Sequence, residues 1–449
     1  MSLTPGQRYS SQHGISCEIG RRLAEGGQGA VFLCNYGGEP HALKWYHPSQ
    51  ATRTQYELIA QLIVSSSPSG HFAWPLDLLV GAGGFGYIMP LIRQGLVTVH
   101  ELVHRPVPIT CAVACRFTVE LAQAFRALHL KGLCYRDVSD NNIFVNPRDG
   151  SVRIIDNDNV APVGQPVGVI GTPGFMAPEV VRDFSRNQAV TLSSLTDYHS
   201  LATLLFHVWA CGHPLYGTRE AACGVLGLPD IIRLTGTDPL FVFHQQDRRN
   251  RPQAGHHDGM IAAWPLAPPR VRDLFTKAFT IGLTDPAHRI TEREWVAAAS
   301  EAEGHLYSCA TCSETRFYDL TLLKQQAQPP CPGCRSPMPL PPRIRMGEGQ
   351  QHHCDIMLTR RRIMLAWQVD AGIQDPASPA GQKPVAEVVE SARQPGLWGL
   401  MNLSTETWNC SESGAIRECR PGHAVALVSD LCIVFGPPGS NRLSGRIKA

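Results

Sequence analysis

The most constraining feature of this sequence is a short stretch at residues 134–145, in which an Asp precedes an Asn by five positions. Asp137 follows a Tyr-Arg pair, and Asn142 precedes a short apolar run. Phosphoryl transfer to a hydroxyl needs an acid that accepts or orients the hydroxyl proton, and a ligand for Mg²⁺. One loop can hold both, with Asp137 as the base and Asn142 as the metal ligand. Such a spacing also arises by chance, so its meaning depends on the rest of the chain.

Composition limits the classes of protein to which this chain can belong. Its 449 residues are too many for one ordinary core, so two to four domains are expected. The formal net charge of +2 provides no large electrostatic field for nucleic acid or a membrane surface. The polar N-terminus has no apolar signal segment, and no apolar run is long enough to span a bilayer. We therefore expect a cytoplasmic, reduced protein that binds neither nucleic acid nor membranes.

Three further motifs lie before and after this stretch, and their order along the chain is informative. A glycine-rich segment at residues 23–32 precedes an apolar segment, residues 41–44, that ends in a lysine. Residues 171–179 read G-T-P-G-F-M-A-P-E. Together with residues 134–145, these segments resemble the glycine-rich loop, V-A-I-K strand, H-R-D loop and A-P-E segment of eukaryotic-type Ser/Thr protein kinases. The resemblance implies a bilobal kinase fold of the α+β class and Mg-ATP as the phosphoryl donor.

The glycine-rich segment matches the phosphate-covering hairpin of that family with one departure. Gly26 and Gly29 take the second and third glycine positions, where a side chain would block the approach of the backbone to phosphates. Ala24 stands at the first position. A plain β-hairpin with glycine turns would give the same pattern. Lys44, the only lysine among the first 130 residues, strengthens the kinase interpretation because it matches the phosphate-anchoring lysine.

The resemblance also implies the remaining residues around the nucleotide. Glu57 is the single acid in a segment of helical periodicity and is expected to pair with Lys44, although a solvated glutamate would fit the same pattern. Met89 is expected beside the adenine. Because Pro90 has no N–H, Leu91 or Ile92 must supply the backbone donor to the adenine edge. The other nucleotide contacts implied by the resemblance are Val31 and Ala42.

Residues 156–159 read Asp-Asn-Asp-Asn where the kinase family usually has D-F-G. By its distance from Asn142 and its place after an apolar strand, Asp156 is the expected Mg²⁺ ligand. Asp158 takes the place of the glycine and is near enough to approach the same cation. The sequence leaves open which of the two acids binds the metal.

The A-P-E segment and two later residues complete the resemblance. Thr172 is expected to contact Asp137 and to shape the site of the acceptor. Asp197 is expected to support the catalytic loop from a buried helix. Arg289 is expected to form an interior ion pair with Glu179, a structural rather than a catalytic contact.

Two departures bear on activity. No Ser, Thr or Tyr lies between Asp156 and Thr172, so that segment offers no phosphate to Arg136 of the catalytic loop. We predict activity without phosphorylation of the activation loop. Ser139 stands where Ser/Thr kinases place a lysine that neutralises the transferring phosphate. Either turnover is low, or another cation supplies that charge.

Two C-x₂-C pairs, separated by eighteen residues, follow the kinase-like part. Four thiolates at this spacing suit a structural Zn²⁺ site of the zinc-ribbon type. A redox pair is the main alternative, and the presence of two pairs argues against it. The predicted zinc ligands are Cys309, Cys312, Cys331 and Cys334.

The C-terminal part reads as a small all-β sandwich built from short strands at residues 363–367, 425–428 and 432–435. Residues 399–404 with Trp408 loosely resemble a degenerate forkhead-associated domain, but no phosphate-binding Arg can be assigned. A docking module is therefore the preferred interpretation. The domains expected from the sequence are a flexible N-terminus (1–16), a kinase N-lobe (17–92), a C-lobe (93–304), a zinc ribbon (305–340) and a β-sandwich (341–449).

The insert at residues 236–269, the D-N-D-N variant and the tail resemble kinases of the tellurium-resistance-associated phosphorylation triad. That resemblance implies a phosphatase and a von Willebrand A-domain protein as partners, the latter as substrate. The leading hypothesis is an active Ser/Thr kinase that uses ATP and Mg²⁺, with C-terminal modules for docking. The alternative is a pseudokinase scaffold that binds nucleotide without transfer, favoured by Ala24, Ser139 and the missing D-F-G.

Overall fold

This computed structural model describes residues 3–81, 83–104, 109–164, 171–318, 330–348, 351–437 and 440–448. The chain forms two compact units from interleaved segments. The first contains Met1–Pro108, Glu120–Ile261 and Phe275–Ile290, and the second contains Ile109–Val119, Ala262–Leu274 and Thr291–Ala449. In the described ranges, no helix is long and apolar enough to cross a membrane. The domain boundaries expected from the sequence stay predictions.

Six antiparallel strands open the first unit: β1 (Arg8–Ser10), β2 (Ser16–Glu25), β3 (Gly29–Tyr36), β4 (Glu39–Tyr46), β5 (Asp77–Gly81) and β6 (Gly84–Pro90). Their order in the sheet is β1-β2-β3-β4-β6-β5. Alternate side chains of the central strands, such as Ile19, Phe32 and Leu43, fill one core. In contrast to the flexible N-terminus predicted for residues 1–16, β1 pairs with β2. Leu3 packs into the same core, which holds this segment on the sheet.

Helix α1 (Arg53–Ser65) follows β4. The hydroxyl of Thr52 accepts a hydrogen bond from the N–H of Gln55 at 3.1 Å and thereby caps the helix. Ile59 and Leu62 are its buried residues. Their spacing of three positions puts them on one face, and this fixes which other side chains of α1 point to solvent.

Helices are the main regular elements of the described chain between residues 99 and 304. They are α2 (Val99–His104), α3 (Cys111–Leu130), α4 (Pro178–Ser185), α5 (Ser194–Ala210), α6 (Thr218–Ala221), α7 (Leu228–Ile232), α8 (Asp258–Ala263), α9 (Pro269–Ala278), α10 (Ile281–Thr284) and α11 (Glu292–Gly304). Helix α5 is buried along most of its length, and a capping box of Ser193 and Thr196 starts it.

Two small sheets of the first unit frame the predicted catalytic loop. Their strands are β7 (Val97–Thr98), β8 (Leu133–Cys134), β9 (Ile143–Val145), β10 (Val152–Ile154) and β11 (Ala161–Pro162). The strand orders are β10-β9-β7 and β11-β8. Because β8 enters the loop and β9 leaves it, both ends of residues 135–142 are fixed by backbone pairing.

The predicted interior ion pair is confirmed. The two terminal guanidinium nitrogens of Arg289 donate to the carboxylate of Glu179, at 2.8 and 2.6 Å. Arg289 also donates to the carbonyls of Leu195 and Gly282. The cation thereby joins the end of the A-P-E segment to the start of α5 and to α10.

The second unit contains a hairpin and two larger antiparallel sheets. The described elements are β12 (Leu306–Ser308), β13 (Thr315–Phe317), β14 (Arg343–Glu348), β15 (Gln351–Met357), β16 (Ile363–Leu365), α12 (Ala366–Val369), β17 (Pro384–Glu390), β18 (Trp398–Asn402), β19 (Trp408–Glu412), β20 (Ala415–Cys419), β21 (Ala424–Ala426), β22 (Cys432–Val434) and β23 (Ser444–Lys448). The larger sheets run β15-β14-β23-β22-β19-β20 and β16-β17-β18-β21.

The two larger sheets share one hydrophobic core. Ile344 and Trp408 reach it from the six-stranded sheet, and Val388 and Leu400 reach it from the four-stranded sheet. The strand predicted at residues 363–367 ends early, because Ala366 and Trp367 begin α12. The side chain of Gln368 accepts a hydrogen bond from the N–H of Leu365 at 2.8 Å and favours this helical turn.

Candidate active site

The turn between β2 and β3 is closed by a 2.9 Å hydrogen bond from the N–H of Gly26 to the carbonyl of Gly29. A Cβ atom on Gly29 would lie 2.3 Å from the carbonyl oxygen of Trp45, so a side chain there would displace β4. A Cβ atom on Gly26 would meet nothing within 4 Å. Gly29 is thus required by packing within the sheet, whereas the open space at Gly26 leaves its backbone accessible. Contact of this turn with phosphates stays a prediction.

Lys44 lies on β4, and its side chain is only 5% exposed. Its Nζ lies 2.8 Å from Oδ2 of Asp158 and 3.3 Å from Oδ1 of Asp156. The side-chain oxygen of Gln28 accepts a further hydrogen bond from Nζ at 2.8 Å. Burial disfavours the charged amine, but the negative charges of Asp158 and Asp156 outweigh this and raise the pKa of Lys44. The site therefore holds a protonated, well-oriented cation.

The expected ion pair between Lys44 and Glu57 is not formed. Glu57 accepts a hydrogen bond from Arg53 at 2.8 Å, and its side chain is 55% exposed. The reason is helical geometry: Arg53 and Glu57 are four residues apart on α1, opposite the face that Ile59 and Leu62 bury. Within the described residues, the acidic partners of Lys44 are Asp158 and Asp156, and the sequence interpretation of Glu57 is corrected accordingly.

Asp158 is fully buried. Both of its carboxylate oxygens contact Nζ of Lys44, and Oδ2 also accepts a 2.5 Å hydrogen bond from the hydroxyl of Tyr46. Gln55 of α1 donates to the Tyr46 hydroxyl and to the backbone carbonyl of Asp158, each at 3.1 Å. A hydrated cation has no access to an acid held in this way. The alternative that Asp158 is the main Mg²⁺ ligand does not fit this arrangement.

Asp156 differs from Asp158 in exposure and in backbone conformation. Its side chain is 33% exposed, and its φ and ψ of 53° and 45° lie in the left-handed region that Asp tolerates better than most residues. Burial raises the pKa of Asp156; Lys44 opposes this shift and the charge of Asp158 adds to it. Asn157 is fully buried and donates to the carbonyl of Ala73 at 2.9 Å, which replaces the packing expected from a Phe.

The catalytic loop brings three of the predicted residues together. The hydroxyl of Thr172 donates to Oδ1 of Asp137 at 2.7 Å. The side-chain amide of Asn142 donates to the backbone carbonyl of Asp137 at 3.0 Å. Because the donor side of this amide is used, the carbonyl oxygen of Asn142 is the atom that could bind a cation.

Asp197 supports the loop from α5, as the sequence predicts. Its carboxylate accepts hydrogen bonds from the N–H groups of Tyr135 (2.6 Å) and Arg136 (3.1 Å), and lies 3.0 Å from Nε2 of His129. Arg136 takes a positive φ of 73°, a conformation these contacts hold in place. Its guanidinium donates to the carbonyl of Pro162 at 3.2 Å, so the loop is also joined to β11.

The residues predicted around the adenine lie on adjoining strands. Ala42 of β4 stands opposite Met89 of β6, and both are buried. Val31 of β3 stands opposite Lys44. Leu91 follows β6 directly and is partly exposed. This placement is compatible with the expected nucleotide pocket, and the individual contacts with adenine stay predictions.

Mg²⁺ prefers oxygen ligands, and two residues of the site offer them. Asp156 keeps an accessible carboxylate, and Asn142 keeps its side-chain carbonyl oxygen. The residues present therefore fit a magnesium ion held by Asp156 and Asn142.

Sequence reasoning missed three side chains that complete the surroundings of Lys44 and Asp158. Tyr46 could have been found, because it stands two positions after Lys44 on one strand and so shares its face. Gln28 replaces an aromatic residue at the hairpin tip, which hinted at a polar neighbour. Gln55 gave no signal, because its contact depends on the packing of α1.

The four predicted zinc ligands of the second unit converge. One sulfur from each cysteine lies within 4.8 Å of the other three. The Sγ atoms of Cys309 and Cys334 are 3.6 Å apart, and those of Cys312 and Cys331 are 3.5 Å apart. Zn–S bonds of about 2.3 Å place tetrahedral sulfurs roughly 3.8 Å apart, so the cluster fits a zinc ion closely. The segment 319–329 between the two pairs lies outside the described residues.

Comparison with known proteins identifies the family. The family described as protein kinase domain matches residues 18–297. Serine/threonine-protein kinase PknB of Mycobacterium tuberculosis is 27% identical over 189 residues, which are 40% of this chain and 26% of that protein. Serine/threonine-protein kinase pkn2 of Myxococcus xanthus is 26% identical over 209 residues, 41% of this chain and 23% of its own length. Dual specificity testis-specific protein kinase 1 of Rattus norvegicus is 33% identical over 95 residues, 19% and 15% of the two chains.

These relatives are thus matched over 15–26% of their own length. The match to the kinase-domain family is broader, because it spans more than half of the chain. It includes the three charged side chains at the centre of the site, those of Lys44, Asp137 and Asp156. The chain belongs to the protein kinase domain family.

Proposed function

We propose that this chain is an Mg-ATP-dependent protein kinase that phosphorylates Ser or Thr on a partner protein. The observation that carries the proposal is the 2.7 Å hydrogen bond from Thr172 to Asp137, within a loop that also positions Asn142. It orients the Asp137 carboxylate, which is then placed to accept the proton of an acceptor hydroxyl. PknB and pkn2 are named as serine/threonine kinases, which supports this class of acceptor.

The other residues of the site have complementary tasks. Lys44 is an oriented, buried cation that can bind phosphate oxygens and stabilise the charge on them during transfer. Asp156 and Asn142 would hold Mg²⁺, which when bound neutralises the charge of the phosphates. Asp137 receives the proton as the acceptor oxygen attacks. The backbone at Gly26 has room to cover the phosphates.

The catalytic loop lacks one cation of the family pattern. Ser139 occupies that position and is buried, and its hydroxyl carries no charge that could act on the transferring phosphate. A partner protein or an arginine from elsewhere in the chain must supply the charge for rapid turnover. We therefore propose that the kinase is slow on generic acceptors and faster on a docked partner.

A pseudokinase scaffold is the second candidate. It is favoured by the contacts of Lys44, which is bound to Asp158 and Asp156 rather than to an acid of α1. If this arrangement persists with nucleotide bound, the three N–H donors of Lys44 stay engaged by Gln28, Asp156 and Asp158, and none is left for a phosphate oxygen. Nucleotide binding without transfer would be the result.

One comparison separates the two candidates. The full-length protein is incubated with labelled Mg-ATP and a generic protein acceptor, and bound nucleotide is measured in parallel. An active kinase transfers label, and Asp137→Ala loses transfer by roughly a hundredfold or more while it still binds nucleotide. Asp156→Asn loses Mg²⁺-dependent binding. Nucleotide binding by the wild type with no transfer above Asp137→Ala, on this acceptor and on the partner proposed below, would establish the scaffold.

For the second unit, we propose a structural zinc ion on the four cysteines and a docking role for the sheet domain, as a β-sandwich. The proposed acceptor is a von Willebrand A-domain protein, with a phosphatase as the opposing enzyme. Transfer to such a protein should exceed transfer to a generic acceptor. Deletion of residues 341–449 should abolish this preference.

A further inference from the structure

We propose that His100, His104 and Asp140 form a transition-metal site, separate from the proposed Mg²⁺ site and from the four cysteines. His100 and His104 are four residues apart on α2 and so share one face of the helix. Their rings stack with centroids 4.2 Å apart. One ligand atom from each of the three side chains lies within 4.8 Å of the other two. Imidazole and carboxylate ligands together suit Zn²⁺, Ni²⁺ or Co²⁺.

Asp140 fixes this cluster to the catalytic loop. Its side chain is only 9% exposed, and Oδ2 lies 2.9 Å from Nδ1 of His100. The backbone repeats the connection, because the N–H of His100 donates to the carbonyl of Asp140 at 3.0 Å. Metal bonds of about 2.0–2.2 Å place neighbouring ligand atoms roughly 3.3–3.6 Å apart. The pair needs to open by only a few tenths of an ångström to accept a metal in place of a shared proton.

His104 is oriented in the way that metal-bound histidines commonly are. Its Nδ1 lies 2.9 Å from the carbonyl oxygen of His100. A carbonyl can only accept, so the proton of a neutral His104 ring must be on Nδ1. This leaves the lone pair on Nε2, the atom that then faces away from the helix backbone. Such a bond from the non-ligating nitrogen fixes the tautomer and the ring orientation of a metal ligand.

A buried histidine lies beside this group without belonging to it. His207 and His104 both line a pocket of about 440 Å³. His207 is 8% exposed, and neither of its ring nitrogens has a hydrogen-bond partner among the described residues. Among the described residues, the group of converging ligand atoms contains His100, His104 and Asp140 only, so the metal would have three protein ligands and an open fourth position.

A metal at this site would join α2 to the catalytic loop. Asp140 stands three residues after Asp137 and two before Asn142. A bound ion would therefore restrict the motion of the loop that positions both residues. We expect slower amide hydrogen exchange at residues 134–145 when the site is loaded.

The test uses the metal-stripped full-length protein, reloaded with zinc chloride and separated from unbound metal. Wild type should retain one more equivalent of zinc than the double variant His100→Ala/His104→Ala. The matched control is His256→Ala, which removes an exposed imidazole near the same pocket and should keep the wild-type content. Titration with Co²⁺ separates the sites, because thiolate ligands give intense charge-transfer absorption and imidazole–carboxylate ligands do not. The double variant should lose only the second kind of site, with an affinity loss of more than about tenfold.

Equal zinc content in wild type and the double variant would overturn the proposal and leave His100 and Asp140 as a hydrogen-bonded pair only. If the double variant does not fold, the wild type still decides. A cobalt titration of the wild type that shows no equivalent beyond the thiolate site also overturns the proposal. None of these measurements depends on kinase activity, so they are independent of the proposed function.

Discussion

Among single residues, Asp158 is the departure from the family pattern that changes the site most. The family has a glycine at this position, and here an acid takes over the contact with the strand lysine that a helix acid would otherwise make. Because Asp158 stands two residues after Asp156, the same short turn holds both the partner of Lys44 and the proposed Mg²⁺ ligand. A movement of this turn would therefore shift both Lys44 and the proposed Mg²⁺ ligand.

Because Asp158 and not Glu57 contacts Lys44, we expect a large effect from an isosteric substitution at Asp158 and a small one from an isosteric substitution at Glu57. Asp158→Asn leaves the buried Lys44 with only Asp156 as an anionic partner, so we expect a loss of about 3 kcal/mol in the free energy of unfolding. Nucleotide affinity should fall as well, because Lys44 loses its orientation. Glu57→Gln disturbs only an exposed pair with Arg53 and should cost less than about 1 kcal/mol. Urea denaturation and nucleotide titration of both variants would show the difference, and a larger effect of Glu57→Gln would contradict it.

His213 should make the stability of the first unit sensitive to pH. Its ring donates to the carbonyl of Gly174 and accepts from the N–H of Leu215. Burial lowers the pKa of His213 to about 4, although the bond to Gly174 acts in the opposite direction. In the unfolded chain the ring takes up a proton near pH 6.5. The unfolded state therefore binds more protons below that pH, and the free energy of unfolding falls between pH 6.5 and about 4.

At the acid end of this window, protonation linked to His213 lowers the free energy of unfolding by roughly 3 kcal/mol. Urea denaturation across that range should give a shallower pH dependence for His213→Gln than for the wild type. The dependence should not vanish, because burial also lowers the pKa values of His199 and His207. The surface variant His256→Gln serves as the control. An unchanged slope in His213→Gln would show that this ring is not held neutral by burial.

At the scale of elements, the sequence predicted the parts of the site whose functional residues lie on one short segment. The loop carrying Asp137 and Asn142, and the strand carrying Lys44, were predicted because each is a short motif that stands in the expected order among the other kinase-like motifs. The partner of Lys44 was not, since Asp158 and Gln28 reach it from segments far apart in the chain. Local geometry explains the misplacement of Glu57, whose side of α1 is decided by which residues that helix buries.

The activation segment shows how an element can be held without a phosphate. Its beginning pairs with the entry to the catalytic loop, Ala161 opposite Cys134, and Arg136 donates to the carbonyl of Pro162. These contacts hold the beginning of the segment without a phosphate, and we expect them to make a phosphorylated side chain unnecessary. Residues 165–170 of this segment lie outside the described part.

We therefore expect activity to survive complete dephosphorylation. The protein is treated with a broad-specificity phosphatase, freed of it, and assayed with Mg-ATP. Thr172→Val provides the contrast, since it removes the hydroxyl bonded to Asp137 and should lower the rate by roughly a hundredfold. Loss of activity on dephosphorylation, regained on incubation with ATP, would show that a phosphate elsewhere in the chain is needed.

For the molecule as a whole, the segment that carries the four cysteines is the part with the smallest hydrophobic core of its own. The hairpin of β12 and β13 is short, and a small cluster that includes Tyr307, Cys309 and Cys331 is its described core. Such a segment buries too little apolar surface to fold alone, and metal binding ordinarily supplies the missing free energy. The two larger sheets share an extensive core and need no metal for their stability.

We expect Cys331→Ser to remove one equivalent of zinc, together with the thiolate charge-transfer absorption of the cobalt-loaded protein. Proteolytic cleavage within residues 305–340 should then become rapid, whereas residues 341–449 stay resistant because their core is intact. Cys432→Ser is the matched control, because this cysteine lies on β22 outside the cluster. If Cys331→Ser keeps its zinc and its resistance to protease, the thiolates are not a structural metal site, and a redox role for the two cysteine pairs becomes the better explanation.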